Sequence, residues 1–231
     1  MSLVNINSED FFNRPIFILG LPRSGTSMVA GALNICGAWM GKTVPGGGVE
    51  NPKGFFENIY LREAINKKIL AKSGSDPLGV KSLPYFDELP TIEGLGESIF
   101  GLLKHEGYDF KRPWAFKEPK LSLIWPCFAT LFPNAHWIIV RRPIEQIISS
   151  CLNTSFMKRQ SNDPVFWQQW ANAYLERLDI LKGSELAWTE IWSQPLIEGD
   201  FSTLKQIVSD LELNWQEDKV EAFITPEYWH F

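Results

Sequence analysis

The segment Ile16–Leu33, IFILGLPRSGTSMVAGAL, constrains the fold of this chain more than any other. An apolar run ends at Gly20, a loop of Pro, Arg, Ser and Gly follows, and a helix of small residues begins near Ser24. A strand, a glycine-containing loop and a helix N-terminus in this order form a phosphate cradle, because the first helical amides have no partner within the helix. The segment therefore predicts an α/β fold with an anion site at the end of a buried strand.

The loop departs from the nucleoside-triphosphate pattern G-x-x-x-x-G-K-[ST] at one informative position. Gly20, Gly25 and Ser27 fit the pattern, but Thr26 stands where the lysine belongs, and a cation occurs three residues earlier, at Arg23. An ordinary strand-to-helix turn is the alternative interpretation, although this loop is unusually dense in glycine, hydroxyl and cationic residues. We predict that Arg23 and the helix amides bind a phosphate group.

Strand-like and helix-like segments alternate along the rest of the chain, which predicts a parallel sheet with helices on both faces. The expected fold is a P-loop-like three-layer α/β/α arrangement with additional helices, forming one domain over residues 1–231. Three further strands are predicted at Trp114–Phe116, His136–Val140 and Leu186–Trp188. Helices are predicted at Ser24–Gly37, Glu57–Lys72, Thr91–His105, Leu121–Phe132, from Pro143 onward, Asp163–Leu181 and Phe201–Leu211.

A second candidate anion site follows the strand His136–Val140. Arg141 ends that strand, and Ser149 lies eight residues later, two turns into the next helix. The sequence leaves two alternatives for the Arg142 side chain, which either belongs to this site or faces solvent. An arginine and a hydroxyl suit a second phosphate, whereas a kinase of this architecture needs an acidic magnesium ligand at this position. Because ligands bind at the carboxyl ends of parallel strands, both loops should face one crevice.

Composition narrows the classes of partner and location. The net charge of −5 disfavours a nucleic-acid surface, and no segment approaches the roughly 20 apolar residues of a membrane span. Three sparse cysteines predict buried free thiols in a reducing compartment, so a cytoplasmic location is expected. Ten tryptophans indicate an aromatic core, or one or two rings that stack on a ligand.

The two loops together resemble the sulfotransferases that use 3′-phosphoadenosine-5′-phosphosulfate (PAPS), over roughly residues 14 to 215. A loop P-[KR]-S-G-T-[ST] of that family is matched by Pro22–Ser27, and its R-x-P element followed by Ser is matched by Arg141-Arg142-Pro143 and Ser149. Arg23 in place of lysine, the Asn51–Glu57 stretch and Lys117-Glu118-Pro119 are similar to bacterial members. The Arg-Lys-Gly element of cytosolic members is absent.

The resemblance implies transfer of a sulfuryl group from PAPS to a small-molecule or glycan acceptor, without a metal, leaving adenosine 3′,5′-bisphosphate. It assigns Arg23 to the leaving phosphate, and Arg141 and Ser149 to the 3′-phosphate. The 5′-phosphosulfate is assigned to the first loop, which comprises Pro22, Arg23, Ser24, Gly25, Thr26 and Ser27. Trp188 stands where the family often has tyrosine, and either faces adenine or belongs to the core.

The general base is open between two carboxylates. Glu57 lies one turn before Leu61 on the apolar stripe Leu61, Ile65 and Ile69, and Glu118 follows a strand end beside Lys117. Either glutamate can instead be structural, and Lys117 either contacts the sulfonate or faces solvent. The glycine-rich stretch 38–56 is expected to be a mobile loop on the acceptor side. The alternatives to a sulfotransferase are a P-loop nucleotide kinase and a non-catalytic nucleotide-binding protein of the same fold.

Overall fold

A four-stranded parallel sheet forms the centre of the computed structural model, which describes residues 11–46 and 51–225. The strand order is β2-β1-β3-β4, with β1 at Ile16–Gly20, β2 at Ala115–Lys117, β3 at His136–Arg141 and β4 at Ala187–Trp192. All three pairings are parallel, so the carboxyl ends of the strands meet at one edge of the sheet. The three-layer α/β/α prediction is therefore confirmed.

Helices fill most of the remaining chain, and their bounds differ from the predicted ones by a few residues. The described helices are α1 (Thr26–Ile35), α2 (Ile59–Leu61), α3 (Lys67–Lys72), α4 (Leu95–His105), α5 (Leu121–Ala129), α6 (Ile144–Asn153), α7 (Ser155–Lys158), α8 (Pro164–Lys182), α9 (Ser193–Ile197), α10 (Ser202–Asp210) and α11 (Glu217–Phe223). A π-helical segment, Arg62–Asn66, joins α2 to α3, and 3₁₀ turns occur at Phe11–Asn13 and Phe86–Glu88. Among the described helices, none is long and apolar enough to cross a membrane.

The sheet separates two hydrophobic cores, because successive strand residues point to opposite faces. Phe17 and Leu19 of β1 belong to a large core, here called the aromatic core, with helices α3 to α6 and α8. Ile16 and Ile18 belong to the aliphatic core on the other face, with α1, α9, α10 and α11. This alternation gives each face of β1 its own helical layer.

The unusual tryptophan content is explained mostly by packing. Of the tryptophans within residues 11–46 and 51–225, six are buried: Trp39, Trp114, Trp125, Trp137, Trp167 and Trp170. All six take part in edge-on or tilted aromatic contacts of the aromatic core, for example Phe17 with Trp137 at 4.6 Å between ring centroids. The three cysteines are free thiols, two of them buried.

The predicted mobile loop at residues 38–56 is anchored at its start; its residues 47–50 lie outside the described part of the chain. Ala38, Trp39 and Met40 are buried, and Trp39 forms a parallel bridge with Trp114. The Trp39 amide donates to Pro113 O and its carbonyl accepts from Ala115 N, at 2.8 and 2.7 Å. This short extended piece therefore adds to the sheet beside β2.

Gly31 lets the C-terminal helix α11 approach α1 closely. A Cβ atom at position 31 would lie 2.5 Å from Cε1 of Phe223 and 2.9 Å from Cε2 of Phe56. Both distances are far below van der Waals contact, so a side chain here must displace two aromatic rings. Gly101 on α4 is a matched contrast, since nothing lies within 4 Å of the corresponding position.

We expect Gly31→Ala to lower the free energy of unfolding, because overpacking costs about 1–3 kcal/mol and exceeds the gain in helix propensity. Gly101→Ala should raise it by about 0.5–1 kcal/mol, since the propensity gain is unopposed there. Urea unfolding at neutral pH measures both. Equal stabilisation by the two substitutions would contradict the close packing of Phe223 against α1.

Candidate active site

A cavity of about 530 Å³ lies at the carboxyl edge of the sheet. Its floor is the loop between β1 and α1, together with Lys117 at the end of β2 and Arg142 just beyond β3. Its walls come from residues 51–57, from residues 78–80, from α7 and from the segment 223–225. The prediction that the loops after β1 and β3 face one crevice is therefore confirmed for the first loop and for Arg142.

The loop after β1 presents amides to this cavity. Arg23 has φ +74° and Gly25 has φ +96°, and these left-handed conformations bend the chain sharply into α1. The amide groups of Gly25, Thr26 and Ser27 have no hydrogen-bond acceptor among the residues that the structure describes. Three such donors at the start of a ten-residue helix favour an anion.

Ser24 adds a buried hydroxyl beneath the loop. Its side chain is fully buried, and its Oγ has no hydrogen-bond partner among the described residues. Its amide donates to Leu21 O at 3.1 Å, which closes the turn. Because Ser24 Oγ lies next to Gly20, it is positioned to support the cradle from below.

Two arginines meet at the base of the cavity. Arg23 Nε donates to Ser150 Oγ at 2.9 Å, and Arg142 Nη1 donates to the Arg23 carbonyl at 3.0 Å. Burial, together with the neighbouring charge of Arg23, lowers the pKa of Arg142 to about 10. Two neighbouring like charges, one of them buried, favour an anion between them. Arg142 is 5% exposed and lines the cavity, so it does not face solvent.

Lys117 is a buried cation whose partners reach it from two other elements. Its ammonium donates to Glu57 Oε1 at 2.9 Å and to Ser27 Oγ at 3.2 Å, and its side chain is 2% exposed. The other Glu57 oxygen accepts from Arg62 Nη1 at 3.2 Å. Lys117 therefore links the phosphate loop to the carboxylate that lines the cavity.

The surroundings of Glu57 decide which proton chemistry it can perform. Burial raises the pKa of its carboxyl, but the charges of Lys117 and Lys120 and the hydrogen bonds from Lys117 and Arg62 lower it to about 2. In this arrangement Glu57 is an ionised counter-ion and a weak base.

Glu118 lies below the cavity surface. It is fully buried, and its Oε1 accepts from Lys120 Nζ at 2.7 Å and from the Lys120 amide at 3.2 Å. Burial and the charge of Glu57 raise the pKa of Glu118 despite Lys120. Glu118 does not line the cavity, so the geometry favours a role in orienting Lys120, which does.

Arg141 and Ser149 lie beside the cavity and do not line it. The Arg141 guanidinium is 3.6 Å from Glu190 Oε2 and lies over the Trp192 ring. Its Nε and Nη1 atoms are buried and have no hydrogen-bond partner among the described residues. These donors lie on the last residue of β3, and a bound anion would supply the hydrogen-bond acceptor that they lack.

Trp188 is not brought to this edge of the sheet. It lies opposite Trp137, four residues before Trp192, which is about 13 Å along the strand. Its indole donates to Lys182 O at 3.2 Å, and the Lys182 ammonium lies over its ring. We therefore give Trp188 no part in the candidate site.

Sequence reasoning missed several cations around the cavity. Seven cationic side chains line it among the described residues, against one carboxylate, Glu57; the cations are Arg23, Lys53, Arg62, Lys117, Lys120, Arg142 and Arg159. Lys53 and Arg142 lie within stretches that the sequence does single out, and Lys120 adjoins one, but Arg62 and Arg159 carry no local signal. Among the described residues, no group of three or more His, Cys, Asp or Glu side chains could hold a metal.

Solved structures of similar fold are bacterial sulfotransferases. The sulfotransferase domain of the Synechococcus PCC 7002 olefin synthase superimposes with a TM-score of 0.58 at 15% identity, covering 94% of this chain and 79% of that one. Sulfotransferase STF1 of Mycobacterium tuberculosis H37Rv gives 0.51 at 16%, covering 91% and 70%. Sulfotransferase STF9 of Mycobacterium avium gives 0.55 at 14%, covering 91% and 66%.

No curated protein sequence matches the chain. The sulfotransferase family profile, in contrast, matches residues 15–217, which include the phosphate loop, Lys117, Arg141 and Arg142. The chain belongs to the sulfotransferase family.

Proposed function

We propose that this protein transfers a sulfuryl group from PAPS to a hydroxyl or amine of a small acceptor, releasing adenosine 3′,5′-bisphosphate. The observation that carries the proposal is the phosphate loop, where the unpaired amides of Gly25, Thr26 and Ser27 point at a cavity lined by Arg23 and Lys117. Donors fixed in advance around a developing negative charge are the main means of accelerating such a transfer.

The proposed roles follow from which atoms are available. The amides and the Thr26 and Ser27 hydroxyls bind the 5′-phosphate, while Arg23 and Lys117 neutralise the bridging oxygen and the sulfonate. In the transfer, a bond forms between the acceptor oxygen and sulfur, and the bond from sulfur to the 5′-phosphate oxygen breaks. The electron pair leaves on the phosphate, where Arg23 stabilises it.

Arg141 and Ser149 are proposed to bind the 3′-phosphate. The unsatisfied Nε and Nη1 donors of Arg141 support this role, since burial of such donors is costly without an acceptor. The hydroxyl of the half-buried Ser149 has no hydrogen-bond partner among the described residues and can add one donor. Glu190 is the weak partner that the phosphate would replace.

Glu57 is the proposed acceptor of the hydroxyl proton, because it is the one carboxylate that lines the cavity among the described residues. Lys117 holds its pKa low while the pair is intact. When Lys117 turns toward the sulfonate, Glu57 loses its strongest cationic neighbour and its pKa rises, so it becomes a better base once the donor is bound.

A nucleotide kinase is less well supported. It needs a lysine at position 26 and an acidic residue at the end of β3, whereas the chain has Thr26 and Arg141 there. A non-catalytic nucleotide-binding protein differs from the proposed enzyme only in lacking transfer.

Adenosine 3′,5′-bisphosphate in the presence of EDTA should raise the melting temperature by about 5–10 °C at a hundredfold excess over its dissociation constant. Thermal unfolding is measured with no ligand, with the bisphosphate in EDTA, and with Mg-ATP, and the melting temperatures are compared. Stabilisation by Mg-ATP alone would favour the kinase, and binding without transfer of labelled sulfate to any acceptor would favour the non-catalytic protein.

Arg141→Ala and Ser149→Ala should weaken binding of adenosine 3′,5′-bisphosphate by at least tenfold and leave adenosine 5′-phosphate nearly unaffected, because the latter lacks the 3′ group. Isothermal titration calorimetry with both nucleotides measures the ratio. Equal losses for the two nucleotides would overturn the assignment of the 3′-phosphate to this pair.

Arg23→Ala should reduce transfer at least a hundredfold, since removing a contact to transition-state charge costs about 3–4 kcal/mol. Arg112→Ala, at a half-exposed arginine paired with Asp109, is the control and should turn over normally. The rate of labelled sulfate transfer is the measurement. Normal turnover of the Arg23 variant would contradict the proposed role of Arg23.

Glu57→Gln should lower the free energy of unfolding at pH 7. It should also make the free energy of unfolding change less with pH below about pH 5. A carboxylate whose folded pKa is about 2 stabilises the fold above its unfolded pKa of about 4.5, and this stabilisation is lost as pH falls from 4.5 toward 2. The difference in the free energy of unfolding between wild type and variant should therefore become smaller as the pH falls across that range.

Urea unfolding at pH 7, 5, 4 and 3 measures this gap. Glu63→Gln is the control, because the Glu63 carboxylate pairs with Arg62 and Lys67 at the surface and should change stability by under about 1 kcal/mol. A gap that stays constant with pH would show that the Glu57 carboxylate is not held ionised by Lys117.

A further inference from the structure

The cavity has two apolar walls that extend from opposite faces of the sheet. Met28, Phe56, Ile197 and Phe223 pack against the aliphatic core, whereas Val80 and Met157 belong to the aromatic core. Both sets line the same cavity, with the cationic floor between them. The two substrates of a transfer reaction therefore have separate walls available to them.

The wall on the aromatic-core side exposes large apolar side chains at its rim. Leu78 is 55% exposed and Phe156 is 36% exposed, and both line the cavity. Among the described residues they are two of seven exposed large hydrophobic side chains, and the other five lie outside the cavity. Exposed apolar groups gathered at the mouth of a cavity indicate a ligand-binding surface.

Leu78 is held by a rigid turn. The Asp76 carboxylate accepts from the amides of Leu78, Val80 and Lys81, and the Gly79 carbonyl accepts from the side chains of Trp170 and Tyr174. Gly79 has φ +67°, and a Cβ there would lie 2.7 Å from the Tyr174 oxygen. So many contacts fix an apolar side chain in an exposed position that it would not otherwise keep.

A cation stands on the same wall. Arg159 directly follows α7, three residues after Phe156, and its exposed side chain lines the cavity. It has no ion pair with any residue that the structure describes. The proposed donor roles already use Arg23, Lys117 and Arg141, so Arg159 is available to a different anion.

We propose that the acceptor is an apolar hydroxy acid: an alkyl or aryl group that packs between Leu78 and Phe156, with an anionic group bound by Arg159. The hydroxyl then lies toward Lys117 and Glu57 on the cavity floor. The proposal rests on the sulfotransferase function proposed above, and it assigns the acceptor to the aromatic-core wall. A neutral sugar would leave both the apolar rim and Arg159 unmatched.

The test compares 8-hydroxyoctanoic acid, 1-octanol and N-acetylglucosamine as acceptors, with labelled PAPS and the full chain. We expect kcat/KM to be highest for the hydroxy acid, about tenfold lower for the alcohol that lacks the carboxylate, and lowest for the sugar. Calorimetry of 8-hydroxyoctanoic acid binding to the protein loaded with adenosine 3′,5′-bisphosphate gives a second readout that does not depend on turnover.

Two variants separate the apolar and ionic contributions. Arg159→Gln should lower kcat/KM for the hydroxy acid about tenfold, to the value of the alcohol, and leave the alcohol unchanged. Leu78→Ser should lower both by about tenfold. The controls are Lys158→Gln and Val165→Ser, which change an exposed lysine beside Arg159 and an exposed valine of α8, both outside the cavity.

The outcomes are separable from those for the donor. Preferred sulfation of N-acetylglucosamine, or the absence of both hydroxy-acid binding and transfer in a protein that binds adenosine 3′,5′-bisphosphate, would overturn the acceptor proposal alone. Equal effects of Arg159→Gln on the hydroxy acid and the alcohol would also overturn it. Failure to bind the bisphosphate would instead overturn the proposed function.

Discussion

The contact between Lys117 and Glu57 is the interaction on which the site depends. Lys117 is almost fully buried at the end of β2, and a buried ammonium without a counter-ion would cost several kcal/mol. Glu57 supplies that counter-ion from the segment that enters α2, and its other oxygen binds Arg62. Before a donor binds, this ion pair thus fastens the wall of the cavity to the sheet and orients both groups.

Positive charge exceeds negative charge around this pair, and the fold supports the excess in ways that suit an anionic ligand. The Arg23 backbone adopts φ +74°, which is uncommon for a residue with a side chain, and Arg142 holds it there through the carbonyl. Burial and the repulsion from the Arg23 guanidinium both lower the pKa of Arg142. A bound dianion would neutralise this repulsion and so stabilise the loop. Ligand binding and the local order of the loop are therefore coupled.

The strands and the phosphate loop could be predicted from sequence because their signals are local. Ile16–Gly20 is an uninterrupted apolar run, and the loop after it carries its own glycine and arginine, so the observed β1 has the predicted bounds. Trp188 shows where such reasoning fails: its position in a motif says nothing about register, and the strand is longer than predicted, so the residue at the carboxyl end is Trp192. The ionised state of Glu57 also could not be predicted, since Lys117 lies 60 residues away.

The hydroxyl of Ser27 shows how the resting site keeps its polar groups satisfied. Ser27 Oγ donates to Phe55 O at 3.2 Å and accepts from Lys117 Nζ and from Asn51 Nδ2. These are the same atoms that the proposed phosphosulfate contacts would use, so binding exchanges internal hydrogen bonds for bonds to the ligand. Because of this exchange, the Ser27 hydroxyl contributes little net free energy to donor binding. Discrimination for the donor must therefore come from groups that lack partners beforehand among the described residues, namely the Gly25 and Thr26 amides and Nε of Arg141.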